Sequence, residues 1–165
     1  MEASVILHTI PPVYDDRSRV LLLGTMPSPK SREAGFFYGH PQNRMWPVLA
    51  RVFGEETPMD TAARREFLLL RHIAMWDVLA SCEIRGADDG SIRKPVPNDL
   101  RPILDAAPIQ AVFCTGKKAF SLYNRYILPS TGRTAVCLPS TSPANCRYET
   151  METLTEAYRV LLCYL

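Results

Sequence analysis

The stretch "RVLLLGT", residues 19–25, sets the reading of everything around it. Four consecutive apolar residues run into a glycine without polar alternation, the pattern of a strand buried on both faces. Downstream, "NRMWPVLARVFG" (43–54) puts Met45, Val48, Leu49, Val52 and Phe53 on one helical face, with Gly54 as a stop. Pro47 fits the first turn of that helix if Asn43 lies near its N-cap, because the amides there have no intrahelical partners. "TAARREFLLLRH" (61–72) predicts a second helix with Thr61 as its cap. The alternation then repeats. "IAMWDVL" (73–79), "IQAVFCTG" (109–116) and "RTAVCLPS" (133–140) read as strands. "DLRPILDAA" (99–107), "KKAFSLYNRYI" (117–127) and "YETMETLTEAYRVLLCYL" (148–165) read as helices. Strands alternating with helices predict an α/β fold, a three-layer α/β/α sandwich around a four-stranded parallel sheet. One polar stretch, "ASCEIRGADDGSIRKPVPND" (80–99), reads as a long connecting loop of the functional or mobile kind.

Composition narrows the class. A chain of 165 residues with 47% hydrophobic and 22% charged residues can bury one good core, so a single domain over 1–165 is expected, working as a monomer. A net charge of +2 neither requires nor excludes a local basic groove. The five cysteines show no CxxC pair, which argues against structural zinc and four-cysteine iron–sulfur clusters. Scattered mostly within apolar runs, they read as reduced, buried thiols of a cytoplasmic protein. "MEASVILHTI" lacks the basic start of a signal peptide, and no stretch is long and apolar enough to span a membrane. Asp88 and Asp89 read as turn acids, and no ligand spacing suggests a metal.

Ligands of such folds sit at the carboxyl ends of the strands. Those ends are "GTMPSPKS" (24–31), "WDVLASCE" (76–83), "CTGKKA" (114–119) and "LPSTSPAN" (138–145). The first holds two prolines that stiffen a loop able to aim backbone amides into a pocket. It is no P-loop, since GxxxxGK[ST] is absent. The last offers Ser140, Thr141 and Ser142, suited either to phosphate contacts or to helix capping. Two lysines follow Gly116 at a helix start, where a nearby anion would offset their unfavourable position in the helix dipole; a solvated face is the simpler reading. "YGHPQNRMW" (38–46) crowds rings, a histidine and amides ahead of an ordinary helix.

Together, "LLLGTMPSPKSREAGFFYGHPQNRMWPVL", "WDVL", "FCTGKKA" and "LPSTSPAN" resemble the uracil-DNA glycosylase superfamily, most closely its hypoxanthine-DNA (deoxyinosine) glycosylases. The resemblance runs from about Val20 into the final helix. It implies a base pocket at the strands' carboxyl ends, double-stranded DNA with a deaminated base as substrate, and no metal or organic cofactor. Most of the superfamily carries an acid or asparagine between the first glycine and proline; Met26 stands there. In the hypoxanthine branch an asparagine on the next helix carries catalysis, and Asn43 matches it. Ser140 stands where many relatives have a histidine supporting the departing uracil. The resemblance thus implies Asn43 as the catalytic residue, free of pure capping duty to hold a water. It implies a pocket of Gly24, Thr25, Met26, Pro27, Phe36, Phe37, Tyr38 and His40, with Tyr38 and Phe36 or Phe37 stacking on the flipped base. Lys117, Ser140, Thr141, Ser142 and Asn145 would grip the DNA backbone. Hypoxanthine is favoured over uracil as substrate. A non-catalytic DNA- or nucleotide-binding module of the same fold, or a hydrolase of free nucleosides or nucleotides, are the competing readings.

Overall fold

The computed structural model describes residues 2–165. Its strands are β1 (Ser4–Leu7), β2 (Val20–Gly24), β3 (Ile73–Asp77), β4 (Leu79–Arg85), β5 (Asp88–Pro97), β6 (Ala111–Thr115) and β7 (Ala135–Leu138). Its helices are α1 (Pro29–Ala34), α2 (Met45–Phe53), α3 (Thr61–Leu70), α4 (Arg101–Ala106), α5 (Lys117–Tyr126), α6 (Leu128–Thr131) and α7 (Met151–Tyr158).

The expected parallel sheet is present, in the order β3-β2-β6-β7. Its central strand explains why the apolar run lacks alternation. Val20 and Leu22 enter one core with α2, α3 and α7, while Leu21 and Leu23 enter another with α4 and α5. All four are fully buried. Each such side chain contributes about 1.5–3 kcal/mol by leaving water, so both faces of β2 hold the layers together.

Five local readings change. Residues 80–99 are not a loop: β4 and β5 pair antiparallel, and β1 adds to the other edge of β4 to make a three-stranded sheet. Cys82, Ile84 and Ile92 turn inward from this sheet onto the core beside α4 and α5, which is why a polar stretch stays ordered. The strand read as 73–79 stops at Asp77, and β4 begins at Leu79. Helix α3 is capped by Asp60, whose carboxylate accepts from the Ala63 amide at 2.7 Å, rather than by Thr61. The closing helix ends at Tyr158 and tightens into a 3-10 segment, Arg159–Tyr164. Cys82 and Cys114 are buried as expected, but Cys137, Cys146 and Cys163 are exposed. No described helix is long and apolar enough to cross a membrane.

Candidate active site

A cavity of about 310 Å³ opens at the carboxyl ends of the parallel strands, lined from β2, β3, β6 and the segment after β7. That is the lower end of the range for small-molecule pockets, sized for one ring system rather than a chain. The strand order dictates the location. Parallel strands finish together, and the loops leaving them converge.

One wall is Asn43. Helix α2 starts at Met45 with Arg44 at its N-cap, and Asn43, one residue earlier, accepts from the Met45 amide through Oδ1 at 2.9 Å. The same oxygen accepts from the Thr141 hydroxyl at 2.8 Å, across 98 residues of sequence. Two donors occupy its two lone pairs. The Asn43 Nδ2 amide is therefore the group left for the cavity. The bonds from Met45 and Thr141 together decide which end of the amide is offered.

The loop before Asn43 is held by the core. Trp46 is 1% exposed, and its Nε1 donates to the Phe37 and Tyr38 carbonyls at 3.3 and 3.2 Å. The Gly39 amide donates to Ser31 Oγ at 3.0 Å, tying the loop to α1. These anchors hold Tyr38 at φ 51°, in the left-handed region, at a cost of about 1–2 kcal/mol. The Tyr38 hydroxyl shares a hydrogen bond of 2.9 Å with Thr115 Oγ1. Burial pushes this phenol far above its ordinary range and the Asp77 charge adds to the effect, so it stays protonated. Phe37, Tyr38 and His40 line the cavity. Phe36 does not: it stacks on Trp46 at 6.0 Å within the core, which removes it from the expected stacking pair.

The opposite wall is Asp77, the last residue of β3 and the register partner of Gly24. Its Oδ2 accepts from His8 Nε2 at 2.7 Å, with both side chains buried. A Cβ on Gly24 would lie 2.5 Å from Asp77 Oδ1 and 3.0 Å from the Tyr38 hydroxyl, so only glycine allows these groups to meet over β2. The start of β5 adds Asp89 to the lining, with its carboxyl reaching toward Thr25 and partly withdrawn from water. Loss of water pushes that carboxyl above its ordinary range, while Thr25 and Lys118 pull it back.

The loop after β7 closes the site. Thr141 is 1% exposed with its hydroxyl committed to Asn43, so it braces the wall instead of facing phosphate. Ser140 Oγ accepts from the Ser142 amide, Ser142 Oγ from the Ala144 amide, and Asn145 Nδ2 donates to the Ser140 carbonyl. Asn145 is thus a loop brace outside the cavity lining, whereas Ser140 and Ser142 line it. Lys117 is exposed at the start of α5, outside the cavity.

Comparison with known proteins fits this geometry. The family model of the Uracil DNA glycosylase superfamily matches residues 11–162. The chain belongs to that superfamily. A Hypoxanthine DNA glycosylase of Methanosarcina acetivorans is 29% identical over 146 residues, 87% of this chain and 91% of the relative. A Hypoxanthine DNA glycosylase of Methanosarcina barkeri is 32% identical over 139 residues, 83% and 87% of the two chains. Among solved structures, an NMR structure from M. acetivorans, provisionally named a uracil DNA glycosylase, superposes with a TM-score of 0.80. It has 26% identity and covers 96% of this chain and 99% of that one.

In this DNA glycosylase of the superfamily, the fold brings to the cavity and its surroundings positions that the sequence does not single out. Asp77 sat inside an apolar strand, and Thr115 seemed only a strand end. His8 lay in an N-terminal segment assigned no structure, and it precedes the matched region. A single charged residue ending a buried run, as Asp77 does, was the available signal. Met26 and Pro27 line the cavity with Gly24 and Thr25, so the first turn meets the pocket through backbone and an apolar side chain.

Proposed function

We propose that this protein hydrolyses the N-glycosidic bond of a deaminated base flipped out of duplex DNA, with hypoxanthine the favoured base. The observation that carries the reading is Asn43, fixed by two hydrogen bonds at the rim of a one-base cavity whose first turn offers Met26 instead of a polar side chain. Flipping costs a few kcal/mol, least at a mispair, and the cavity supplies the extruded base with walls. Bond cleavage passes through an oxocarbenium-like state, so the attacking water needs orientation more than a strong base. With its oxygen committed, Asn43 does this by donating from Nδ2 to the water oxygen, leaving a second lone pair for attack on the sugar carbon. An amide takes no proton near pH 7, so the proton released from the attacking water goes to the departed purine anion or to solvent, and turnover is modest. The turn amides of Thr25 and Met26 stabilise negative charge on the departing purine. Ser140, Ser142 and Lys117 hold flanking phosphates. The protein acts as a monomer, and the reaction so drawn uses neither metal nor organic cofactor.

The test is single-turnover excision from duplexes carrying deoxyinosine, deoxyuridine or deoxyxanthosine opposite each normal base. Deoxyinosine opposite thymine is expected to be released fastest. Duplex binding without release of any base would leave a non-catalytic module. Equal rates on free deoxyinosine would make the protein a nucleoside hydrolase.

A further inference from the structure

We propose, building on the glycosylase reading, that Asp89 at the mouth of the cavity is the general acid of the reaction. Its carboxyl gives a proton to a ring nitrogen of the departing purine, N3 or N7, as the bond to the sugar breaks.

The hairpin that reaches the cavity holds its own shape. Arg85 and Asp88 pair across the turn Gly86–Ala87, with Gly86 at φ 57°, and both turn residues line the cavity. Asp88 is committed to the turn: its Oδ1 accepts from the Gly90 amide at 3.0 Å, and its carbonyl accepts from the Ser91 hydroxyl at 2.6 Å. Ser91 Oγ accepts in turn from the Arg85 amide at 2.8 Å and closes the tip. Asp89 is the acid left over. It lines the cavity with its carboxyl reaching toward Thr25, in the turn whose amides face the leaving group, beside a Met26 that has no proton to give.

Among the described residues four titratable side chains line the cavity, and three are unsuited to the task. The Tyr38 phenol shares its hydrogen bond with Thr115, and burial holds it far above its ordinary range. His40 Nδ1 accepts from the Gln42 amide at 3.0 Å, which leaves the Nε2–H of a neutral imidazole, far too weak an acid. Asp77 Oδ2 is an acceptor for His8. Asp89 differs, because loss of water raises its carboxyl above the ordinary range. Thr25 and Lys118 of α5 pull it back, while Asp77 of β3 and the neighbouring Asp88 push it up; Cys82 of β4 faces it as well. A carboxylate on the side that meets DNA opposes the phosphates, whereas a protonated carboxyl does not, and the arriving duplex raises its pKa further.

The step balances. The Asp89 O–H bond breaks and an N–H bond forms on the purine, and the electron pair of the C1′–N9 bond goes to the ring, which leaves as the neutral base. The water held by Asn43 adds its oxygen to C1′, its proton passes to solvent, and Asp89 regains a proton from solvent. Hypoxanthine has unprotonated ring nitrogens away from the glycosidic bond and uracil has none, so this acid serves purines. General acids contribute about 10²–10⁴-fold, most when their pKa lies near the working pH.

The experiment measures single-turnover excision of deoxyinosine from about pH 5 to about pH 9 in the wild type, Asp89→Asn and Asp89→Glu. The same duplex is also made with 7-deazadeoxyinosine and with 3-deazadeoxyinosine. The wild-type rate on deoxyinosine is expected to fall about tenfold per pH unit once the pH exceeds the carboxyl's value in the complex. Asp89→Asn should be about a hundredfold slower at the acid end and should lose that fall, while Asp89→Glu should restore part of both. The analogue that lacks the receiving nitrogen should be released slowly at every pH and equally by wild type and Asp89→Asn. The other analogue should follow deoxyinosine. Thermal unfolding and affinity for undamaged duplex report that each variant folds and binds. A folded Asp89→Asn with the wild-type rate and pH profile overturns the assignment alone. Equal slowing of deoxyinosine and both analogues in Asp89→Asn also overturns it, by making the carboxylate a stabiliser of the sugar cation. A wild type silent on every deaminated base refutes the glycosylase reading itself.

Discussion

The two walls of the cavity are built alike and offer opposite chemistry. Asn43 and Asp77 each end a loop or strand at the rim, and each is gripped by a partner far away in sequence, Thr141 or His8. On one wall the grip takes the oxygen of an amide and leaves a donor. On the other it takes one oxygen of a carboxylate and leaves an acceptor. The side chain alone does not decide what a pocket presents; the partner that binds its other end does.

The largest break in that comparison should come at Asn43. Asn43→Ala is expected to cut single-turnover excision by about a hundredfold or more, the scale of a positioned catalytic group. Duplex affinity should fall far less, since phosphate contacts supply most of it. Asn43→Asp keeps both pinning bonds and replaces the donor with an acceptor, so it should be nearly as slow. Full activity in Asn43→Asp would show that the wall works by accepting. Met26→Ala, which removes only apolar bulk, should be milder than either. Loss of the bond to the Met45 amide costs about 1 kcal/mol by itself, so unfolding must be measured alongside.

Thr141→Val attacks the grip rather than the gripped residue. Excision should fall by roughly tenfold as the amide loses one of its two restraints, with about 1 kcal/mol less stability. A rate unchanged by this substitution would show that the Met45 amide alone fixes Asn43. Lys117→Ala, outside both walls, should weaken binding to all duplexes alike and lower the salt slope by about one unit. A loss confined to inosine-containing DNA would place Lys117 in base reading.

The smallest effect on folding belongs to Asp89, at the mouth near the acceptor wall. Folding raises its carboxyl pKa through lost hydration, so the folded state favours the protonated form. Stability from this group is therefore present at low pH and lost as pH rises through the folded value. Asp89→Asn removes that loss, and thermal melts should show the variant slightly more stable at pH 7. The two proteins should converge below about pH 4, where the carboxyl is protonated folded or unfolded. A gain that persists in acid would refute the sign.

The parallel sheet could be read because burial on both faces leaves no choice of residue: Val20 to Leu23 are apolar without exception. The second sheet could not. Three of the four residues of β1 are exposed, and most of β5 is exposed and interrupted by Gly90 and Pro95. Only Cys82, Ile84 and Ile92, flanking the turn-rich "GADDG", hinted at a hairpin. Asn43 was visible through its motif, but the donor end it offers depended on Thr141, 98 residues away. His8 had no local signal, because its meaning comes from β1 laying it beside β3.

The chain holds only two tryptophans, and each is built into one side of this arrangement. Trp46 bonds to the backbone of Phe37 and Tyr38, while Trp76 lies edge-on to His8 and donates to the Ile10 carbonyl. All intrinsic indole emission therefore originates within a ring or two of the cavity. Entry of a base, or loosening of the N-terminal strand, should register optically in the unlabelled protein, with Trp46→Phe and Trp76→Phe assigning the signal to one wall or the other.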